Sequence, residues 1–340
     1  MRAFSVVVHC AAWLFPYLGT TFAALPFGRA NYTTSVSTVF QLEQNGTWFE
    51  NLHVRRNGNV IVSRFDVPEI WSITPGPDGF SQGYGSLLYR FPNATSVLGI
   101  AEMERDVYAV IAGNISLPSI VPTPGSFVVW MFDLKEQEPR AKVLAPMPAG
   151  EFLDGVARFR DDLLLITDAG KGVIWRLNTT SGEYSVALSH STMLPAEGQP
   201  VKVGVNGLKV FRNYIYYTST SQEVYARIPV DQNASATGPV EVIMSGLTFD
   251  DLVLTASGTA YMTTNPQNEL VEISPEGRVH LVAGNQFEIT LGGLTSVAFS
   301  RDYSILYVTT CGAQFTPVMG KVMEPAKLVA VKLRVKSGDN

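Results

Sequence analysis

The feature that most constrains the fold is a short motif that recurs six times along the chain. Each copy starts with an apolar residue, passes through a polar or small residue, and leads into a tight turn and a β-rich strand. Successive copies are 44 to 55 residues apart. They read Phe49-Glu50-Asn51-Leu52, Leu98-Gly99-Ile100-Ala101, Leu153-Asp154-Gly155-Val156, Val205-Asn206-Gly207-Leu208, Phe249-Asp250-Asp251-Leu252 and Leu294-Thr295-Ser296-Val297. Six strand–turn–strand units of this length are typical of a β-propeller.

The turns and the ring closure support the same architecture. Asn57-Gly58 and Ser257-Gly258 suit hairpins, because such turns require residues that tolerate positive φ. A large β-sandwich is the alternative fold, but it predicts irregular spacing. A β-rich segment at residues 36–42 precedes the first unit, and we expect it to pair with the last blade and hide its edge. We therefore predict an all-β, six-bladed propeller closed by an N-terminal strand.

The first 24 residues predict a secretory signal peptide. Arg2 supplies a positive charge, an apolar stretch follows, and the small residues Ala23 and Ala24 suit cleavage. A single membrane anchor is the alternative, but the apolar run is short and interrupted by Pro16. We predict a signal peptide at 1–24, one domain at 25–340, and no membrane attachment after cleavage.

Sequons and cysteines point to the same compartment. Cys10 lies in the predicted signal, which leaves Cys311 without a partner for an internal disulfide. Six Asn-x-Ser/Thr sequons follow, at Asn31, Asn45, Asn93, Asn114, Asn178 and Asn233. Behind a signal peptide, this set predicts a glycosylated protein that is secreted or resides in the lumen of the secretory pathway.

Composition and motifs exclude several function classes. The formal charge is -5 and no basic run occurs, so we expect no nucleic-acid partner. The chain lacks a G-x-S-x-G elbow, a P-loop and a C-x-x-C pair. Of the four histidines, His9 lies in the predicted signal, His53 follows the first motif, and His190 and His280 suit blade edges. A histidine-based nucleophilic triad is therefore not expected.

Propeller geometry brings the second residues of the motifs together. The innermost strand of each blade lines the central channel, so these residues should meet at one mouth of it. They are Glu50, Gly99, Asp154, Asn206, Asp250 and Thr295. Oxygen donors at Glu50, Asp154, Asn206 and Asp250 suit a hard cation such as Ca²⁺, and we predict them as the metal ligands if a metal is bound. The alternative is that they cap strand ends.

The loops that follow the second strands should rim the same mouth. Two of them, residues 114–125 and 311–321, are long and rich in apolar residues and proline. We predict a mixed pocket that suits a small apolar substrate better than a sugar acid. The predicted lining residues are Phe49, Arg64, Phe65, Trp71, Thr295, Phe315 and Met319.

The motif copies resemble those of SMP-30/gluconolactonase-like six-bladed propellers, over roughly residues 36–335. The resemblance rests on the first, third, fourth and fifth motifs and on Thr295-Ser296-Val297-Ala298-Phe299. It implies a divalent metal, commonly Ca²⁺, held by a Glu, two Asn and an Asp at the corresponding positions. Glu50, Asn206 and Asp250 match that pattern in type, whereas Asp154 stands where Asn is usual.

A narrower resemblance is to secreted fungal propellers of this superfamily. It is carried by Trp48-Phe49-Glu50-Asn51-Leu52-His53-Val54-Arg55, Asn57-Gly58-Asn59 and Asp66-Val67-Pro68-Glu69-Ile70-Trp71. Among such proteins are hetero-Diels–Alderases that join a tropolone-derived quinone methide to a humulene-type sesquiterpene. The resemblance implies that function here, in fungal natural-product biosynthesis, with a small apolar or polyketide- or terpene-derived substrate.

Three functions are therefore compatible with the sequence. As a hetero-Diels–Alderase, the protein would use Asp154, Asn206 and Asp250 as catalytic groups and would need no cofactor. As a lactone hydrolase, it would use Ca²⁺ to polarise the lactone carbonyl and Asp250 to activate water. The third is a non-catalytic binding module, because a propeller fold alone does not determine function.

Overall fold

The computed structural model describes residues 32–198 and 202–335, which form 26 β-strands and one short 3₁₀ helix, Ser191–Met193. Twenty-four strands make six four-stranded antiparallel sheets, and β8 (Ile115–Ser116) pairs with β9 (Val121–Pro122) in a small hairpin. The prediction of an all-β six-bladed propeller is confirmed. No helix in these ranges is long and apolar enough to cross a membrane. The predicted signal peptide and Asn31 lie outside them.

Each blade is built from four strands that run side by side from the channel to the periphery. From the innermost to the outermost strand, the first three blades are β2 (Phe49–Val54), β3 (Val60–Arg64), β4 (Glu69–Thr74), β5 (Tyr84–Arg90); β6 (Ser96–Glu104), β7 (Val107–Gly113), β10 (Val128–Asp133), β11 (Arg140–Pro146); and β12 (Leu153–Arg160), β13 (Leu163–Asp168), β14 (Val173–Asn178), β15 (Tyr184–Ser189). In the same order, the last three are β16 (Val205–Phe211), β17 (Tyr214–Ser219), β18 (Val224–Pro229), β19 (Glu241–Ser245); β20 (Phe249–Leu254), β21 (Ala260–Thr264), β22 (Glu269–Ile273), β23 (Val279–Gly284); and β24 (Leu294–Phe299), β25 (Ile305–Thr310), β26 (Lys327–Val335), β1 (Tyr32–Gln41).

The N-terminal strand closes the ring as predicted. Strand β1 pairs antiparallel with β26, from Tyr32 opposite Val335 to Gln41 opposite Lys327. It extends further towards the N-terminus than the predicted segment, residues 36–42, and ends one residue earlier. Both ends of the described chain thus lie in the sixth blade, where each satisfies the hydrogen bonds of the other's free edge.

The innermost strands share a β-bulge at their start. In the first blade, Phe49 pairs with Arg64 and Leu52 with Val62, so Glu50 and Asn51 together lie opposite Ser63. The third, fourth, fifth and sixth blades repeat this irregularity at the same place in the motif. Because two residues oppose one, the strand bends and re-aims its side chains.

In the second blade the predicted mouth residue is wrong by one position. Val97 pairs with Ala112 and Ile100 with Val110, so Leu98 and Gly99 occupy the bulge. Leu98, rather than the predicted Gly99, therefore stands where Glu50 stands in the first blade. The sequence alignment of this copy was wrong because the second blade has no polar residue at the position of Glu50. Leu98 was aligned with the apolar residue that starts each of the other motifs, such as Phe49.

Buried threonine hydroxyl groups fasten the bulges of the third to sixth blades to the neighbouring blade. The Thr218 hydroxyl accepts a hydrogen bond from the Gly207 amide at 2.9 Å and donates to the Asp250 carbonyl at 2.6 Å. Thr167 does the same with Gly155 and with the carbonyl of Asn206. A Cβ at Gly155 would lie 2.7 Å from that carbonyl oxygen, so glycine is required for the close approach.

Candidate active site at the channel mouth

Six side-chain positions at the starts of the innermost strands form what we call the mouth ring. All six residues are buried, and successive innermost strands pack side by side around the channel. In order around the ring they are Glu50, Leu98, Asp154, Asn206, Asp250 and Thr295. Three carboxyl groups therefore alternate with an aliphatic, an amide and a hydroxyl side chain.

The three carboxyl groups differ in their hydrogen bonds. The Trp48 indole Nε1 donates to Glu50 Oε2 at 2.5 Å, and Asn206 Nδ2 donates to Asp250 Oδ1 at 3.1 Å. Within residues 32–198 and 202–335, the carboxyl group of Asp154 receives no hydrogen bond from the protein. Both carboxyl oxygens of Asp154 are therefore free to hydrogen-bond to a ligand, whereas Glu50 and Asp250 each have at least one oxygen engaged by the protein.

Burial makes these groups hold their protons. Loss of water contact, with a smaller contribution from the charge of Asp251, raises the pKa of Asp154 from 3.8 to about 7. Burial is also the largest cause that raises the pKa of Glu50 and of Asp250 well above the ordinary value, and the neighbouring carboxylates add to it. The mouth ring therefore presents carboxylic acids at a pH where exposed carboxyl groups are ionised.

A second layer lies one residue further along the innermost strands. The Asp251 carboxylate accepts hydrogen bonds from Lys209 Nζ at 2.8 Å, Ser296 Oγ at 2.6 Å and Asn51 Nδ2 at 3.3 Å. The positive charge of Lys209 compensates the negative charge of the buried Asp251 carboxylate. The mouth ring, in contrast, contains no basic residue. The second layer was not predicted from the sequence, although the paired Asp250-Asp251 in the fifth motif was its visible signal.

The oxygen donors of the mouth ring are of the type that Ca²⁺ prefers, but they are spread around the channel. In the described ranges, no group of three or more His, Cys, Asp or Glu side chains is arranged to hold a metal ion. The metal set of Glu50, Asp154, Asn206 and Asp250 therefore stays a prediction.

Two predicted lining residues lie beside Glu50. Arg64, at the end of β3, forms ion pairs with Asp66 and with Glu69, the latter at 3.2 Å between Arg64 Nη1 and Glu69 Oε2. Phe65 is buried, and its ring centroid lies 4.8 Å from that of Trp48. Both residues thus support the side of the mouth formed by the first blade.

Two other predicted lining residues lie elsewhere, which corrects the prediction. Phe49 has no exposed surface and belongs to a hydrophobic cluster between the first and sixth blades. Trp71 packs against the same cluster, with its ring centroid 6.2 Å from that of Phe40. Phe49 precedes the bulge and turns into the blade interface, and Trp71 stands on the third strand of its blade, so neither ring lines the mouth.

The two long loops supply exposed apolar residues on the mouth face. Loop 114–125 contains the β8–β9 hairpin and exposes 39% of Leu117 and 54% of Val121. Loop 311–321 exposes 43% of Phe315 and 74% of Met319. Both loops leave a second strand on the face where the innermost strands begin, so they form an apolar rim. That Phe315 and Met319 contact a substrate stays a prediction.

The three described histidines and Cys311 lie in other environments. His53 faces Glu102 at 3.4 Å and stacks edge-on against Tyr108, between the first and second blades. His190 caps the 3₁₀ helix and His280 lies beside Glu272. Cys311 is buried near Glu50 and Asp250, and burial raises the pKa of its thiol to about 12, so it is not a reactive thiolate.

Sequence comparisons connect the chain to fungal enzymes. No family model matches the sequence. A protein of Phoma sp. named as a hetero-Diels-Alderase is 26% identical over 302 residues, which cover 78% of this chain and 84% of that protein. A second protein so named, from Sarocladium schorii, is 28% identical over 312 residues, covering 78% of this chain and 75% of its own length.

Solved structures match the fold at low sequence identity. A luciferin-regenerating enzyme superposes with a TM-score of 0.65 at 13% identity, covering 90% of this chain and 98% of that one. Regucalcin from Agrobacterium tumefaciens gives 0.60 at 12% identity, covering 90% and 96%. A gluconolactonase from Xanthomonas campestris gives 0.59 at 11% identity, covering 88% and 90%. The chain therefore has the six-bladed propeller fold of SMP-30/gluconolactonase-like proteins, and in sequence it is similar to fungal hetero-Diels–Alderases.

Proposed function

We propose that this protein is a hetero-Diels–Alderase that joins a tropolone-type quinone methide to a humulene-type sesquiterpene. The observation that carries the proposal is the carboxyl group of Asp154 at the mouth of the channel, which is buried, has a raised pKa and accepts no hydrogen bond from the part of the chain that the structure describes. The apolar rim and the similarity to two proteins named as hetero-Diels–Alderases support it.

The cycloaddition needs orientation and a hydrogen-bond donor. One carbon–carbon bond and one carbon–oxygen bond form between the heterodiene and the alkene, and no proton is gained or lost overall. A neutral carboxylic acid that donates to the carbonyl oxygen of the heterodiene withdraws electron density and makes it more reactive towards an alkene. Holding both reactants in one orientation supplies the rest of the acceleration.

The mouth ring can also generate the heterodiene. Protonated Asp154 gives its proton to the hydroxyl group of a hydroxymethyl precursor, the carbon–oxygen bond breaks, and water leaves. The ring hydroxyl of the precursor then gives its proton to the Asp154 carboxylate that this step leaves behind, directly or through the departing water. Asp250, whose orientation Asn206 holds, stays protonated and can donate a hydrogen bond to the substrate. One proton enters and one leaves the protein, so the net reaction is loss of water.

Product analysis tests this function. The purified protein is incubated with a hydroxymethyl tropolone precursor and a humulene-type alkene, and products are separated by chiral chromatography. We expect a faster reaction than in buffer and one predominant stereoisomer. A product mixture and rate equal to those in buffer contradict the proposal. Lactone hydrolysis that EDTA abolishes would instead support the hydrolase alternative, and the absence of both activities would support a binding module.

We also propose that the protein enters the secretory pathway and is glycosylated. Asn45, Asn93 and Asn233 are exposed, and Asn114 and Asn178 are partly exposed, so the described sequons are accessible to the transferase. Enzymatic removal of N-glycans from protein expressed in a filamentous fungus should increase its gel mobility, and Asn233→Gln should remove one glycan. Unchanged mobility after deglycosylation contradicts this expectation.

A further inference from the structure

Trp48 combines a partly exposed aromatic ring with a direct bond to the mouth ring. It immediately precedes β2 and is partly exposed, whereas the neighbouring Phe49 and Phe65 are buried. Its indole Nε1 donates to Glu50 Oε2 at 2.5 Å. The pyrrole edge of the indole therefore points to a carboxyl group that borders the channel.

The position of this ring is determined by the first-blade loop. The Trp48 amide donates to Asp66 Oδ1 at 3.0 Å, and its carbonyl accepts from the Phe65 amide at 3.0 Å. Arg64 holds Asp66 through an ion pair, and the Phe65 ring packs on the indole at 4.8 Å between centroids. Backbone bonds on both sides and a packed aromatic neighbour leave the indole little freedom, so it is pre-organised for a ligand.

We propose that Trp48 and Glu50 form a subsite for a planar, oxygenated, electron-poor ring. The indole gives an electron-rich surface on which such a ring stacks, and the Glu50 carboxyl group at the edge of the indole hydrogen-bonds to an oxygen of the ring. This inference rests on the proposed function, because it assigns the quinone methide half of the reaction to the first blade. The alkene would then lie on the other face of the heterodiene, towards the apolar rim formed by loops 114–125 and 311–321.

A calorimetric titration with tropolone tests the subsite without requiring turnover. Tropolone is a stable planar ring with adjacent oxygens and stands in for the reactive quinone methide. We expect Trp48→Leu to weaken tropolone binding about tenfold, the loss expected for a good aromatic contact. In steady-state kinetics the same variant should raise KM for the tropolone precursor and leave KM for the alkene unchanged, which a general structural defect would not do.

Trp71 offers a matched control. Its indole Nε1 also donates to a buried carboxyl group, Glu69 Oε2 at 2.8 Å, and its ring is also partly exposed. Glu69 is not part of the mouth ring, however, and Trp71 packs against the cluster between the first and sixth blades, whereas Trp48 packs against the cluster that contains Phe65. Trp71→Leu therefore removes a similar bond and a similar ring, and it should leave tropolone affinity unchanged. Equal weakening in both variants would show a general effect on the fold and would overturn the proposal.

The remaining outcomes separate the subsite from the function. No tropolone binding by the wild type, or unchanged binding by Trp48→Leu, overturns the subsite. Binding that depends on Trp48 without any cycloadduct keeps the subsite and contradicts the proposed function. If Trp48→Leu does not fold, the indole N–H resonance of ¹⁵N-labelled wild-type protein, assigned with Trp48→Phe, decides: it must shift on addition of tropolone, and a resonance that does not move overturns the proposal.

Discussion

Replacing Asp154 by asparagine should lower the rate of cycloadduct formation from the hydroxymethyl precursor by about 10²–10⁴-fold, the usual contribution of a positioned general acid. The amide keeps a similar shape and can still donate a hydrogen bond, but it cannot transfer a proton to the leaving hydroxyl. Initial rates measured by liquid chromatography test this. Asp161→Asn, at a side chain that is 94% exposed, is the control and should react like wild type.

The pH dependence gives a second measurement on the same variant. The pKa of Asp154 is about 7 in the folded protein, above its ordinary 3.8, so the acid form is present below that value and is lost as pH rises through it. The wild-type rate should therefore fall as pH rises through about 7, and this decline should be absent in Asp154→Asn. Between pH 3.8 and about 7, Asp154 is protonated in the folded protein but ionised in the unfolded chain. The folded state therefore binds more protons in this range, and the free energy of unfolding of the wild type should fall as pH rises through it. An unchanged rate in Asp154→Asn would contradict its catalytic role.

Replacing Lys209 by methionine should lower the free energy of unfolding by about 2–4 kcal/mol, because the buried Asp251 carboxylate would lose its counter-charge. Asp251 is buried with a side-chain exposure of 6%, and the Lys209 side chain is 32% exposed, so solvent compensates part of the loss. Ser296 and Asn51 still donate hydrogen bonds to the carboxylate but carry no charge. Urea unfolding followed by far-ultraviolet circular dichroism measures the change.

A double variant separates the charge effect from the loss of packing. Lys209→Met combined with Asp251→Asn removes both charges, and it should recover much of the stability that the single Lys209 variant loses. Lys209→Arg keeps the positive charge and should cost less than Lys209→Met. If Lys209→Met is as stable as wild type, Lys209 does not compensate Asp251.

The recurrence of one motif was sufficient to predict the number of blades, the closing strand and the position of most mouth residues. A propeller repeats one local structure, and each copy carries its own strands and turns, so local sequence holds this information. The second residues of the first, third, fourth, fifth and sixth motifs reach the mouth for that reason. The second blade is the exception, because its bulge at Leu98 and Gly99 is set by pairing with β7 and carries no polar marker.

Contacts between distant parts of the chain decided the rest. Asn51 and Asp251 are separated by 200 residues, yet they share a hydrogen bond across the channel. Phe49 and Trp71 looked suitable for a substrate pocket, but packing against residues of the sixth blade turned them into the blade interface. Trp48 gained its place beside Glu50 from the loop that follows β3. The raised pKa of Asp154 likewise comes from burial, which depends on the closed ring of blades and cannot be read from neighbouring residues alone.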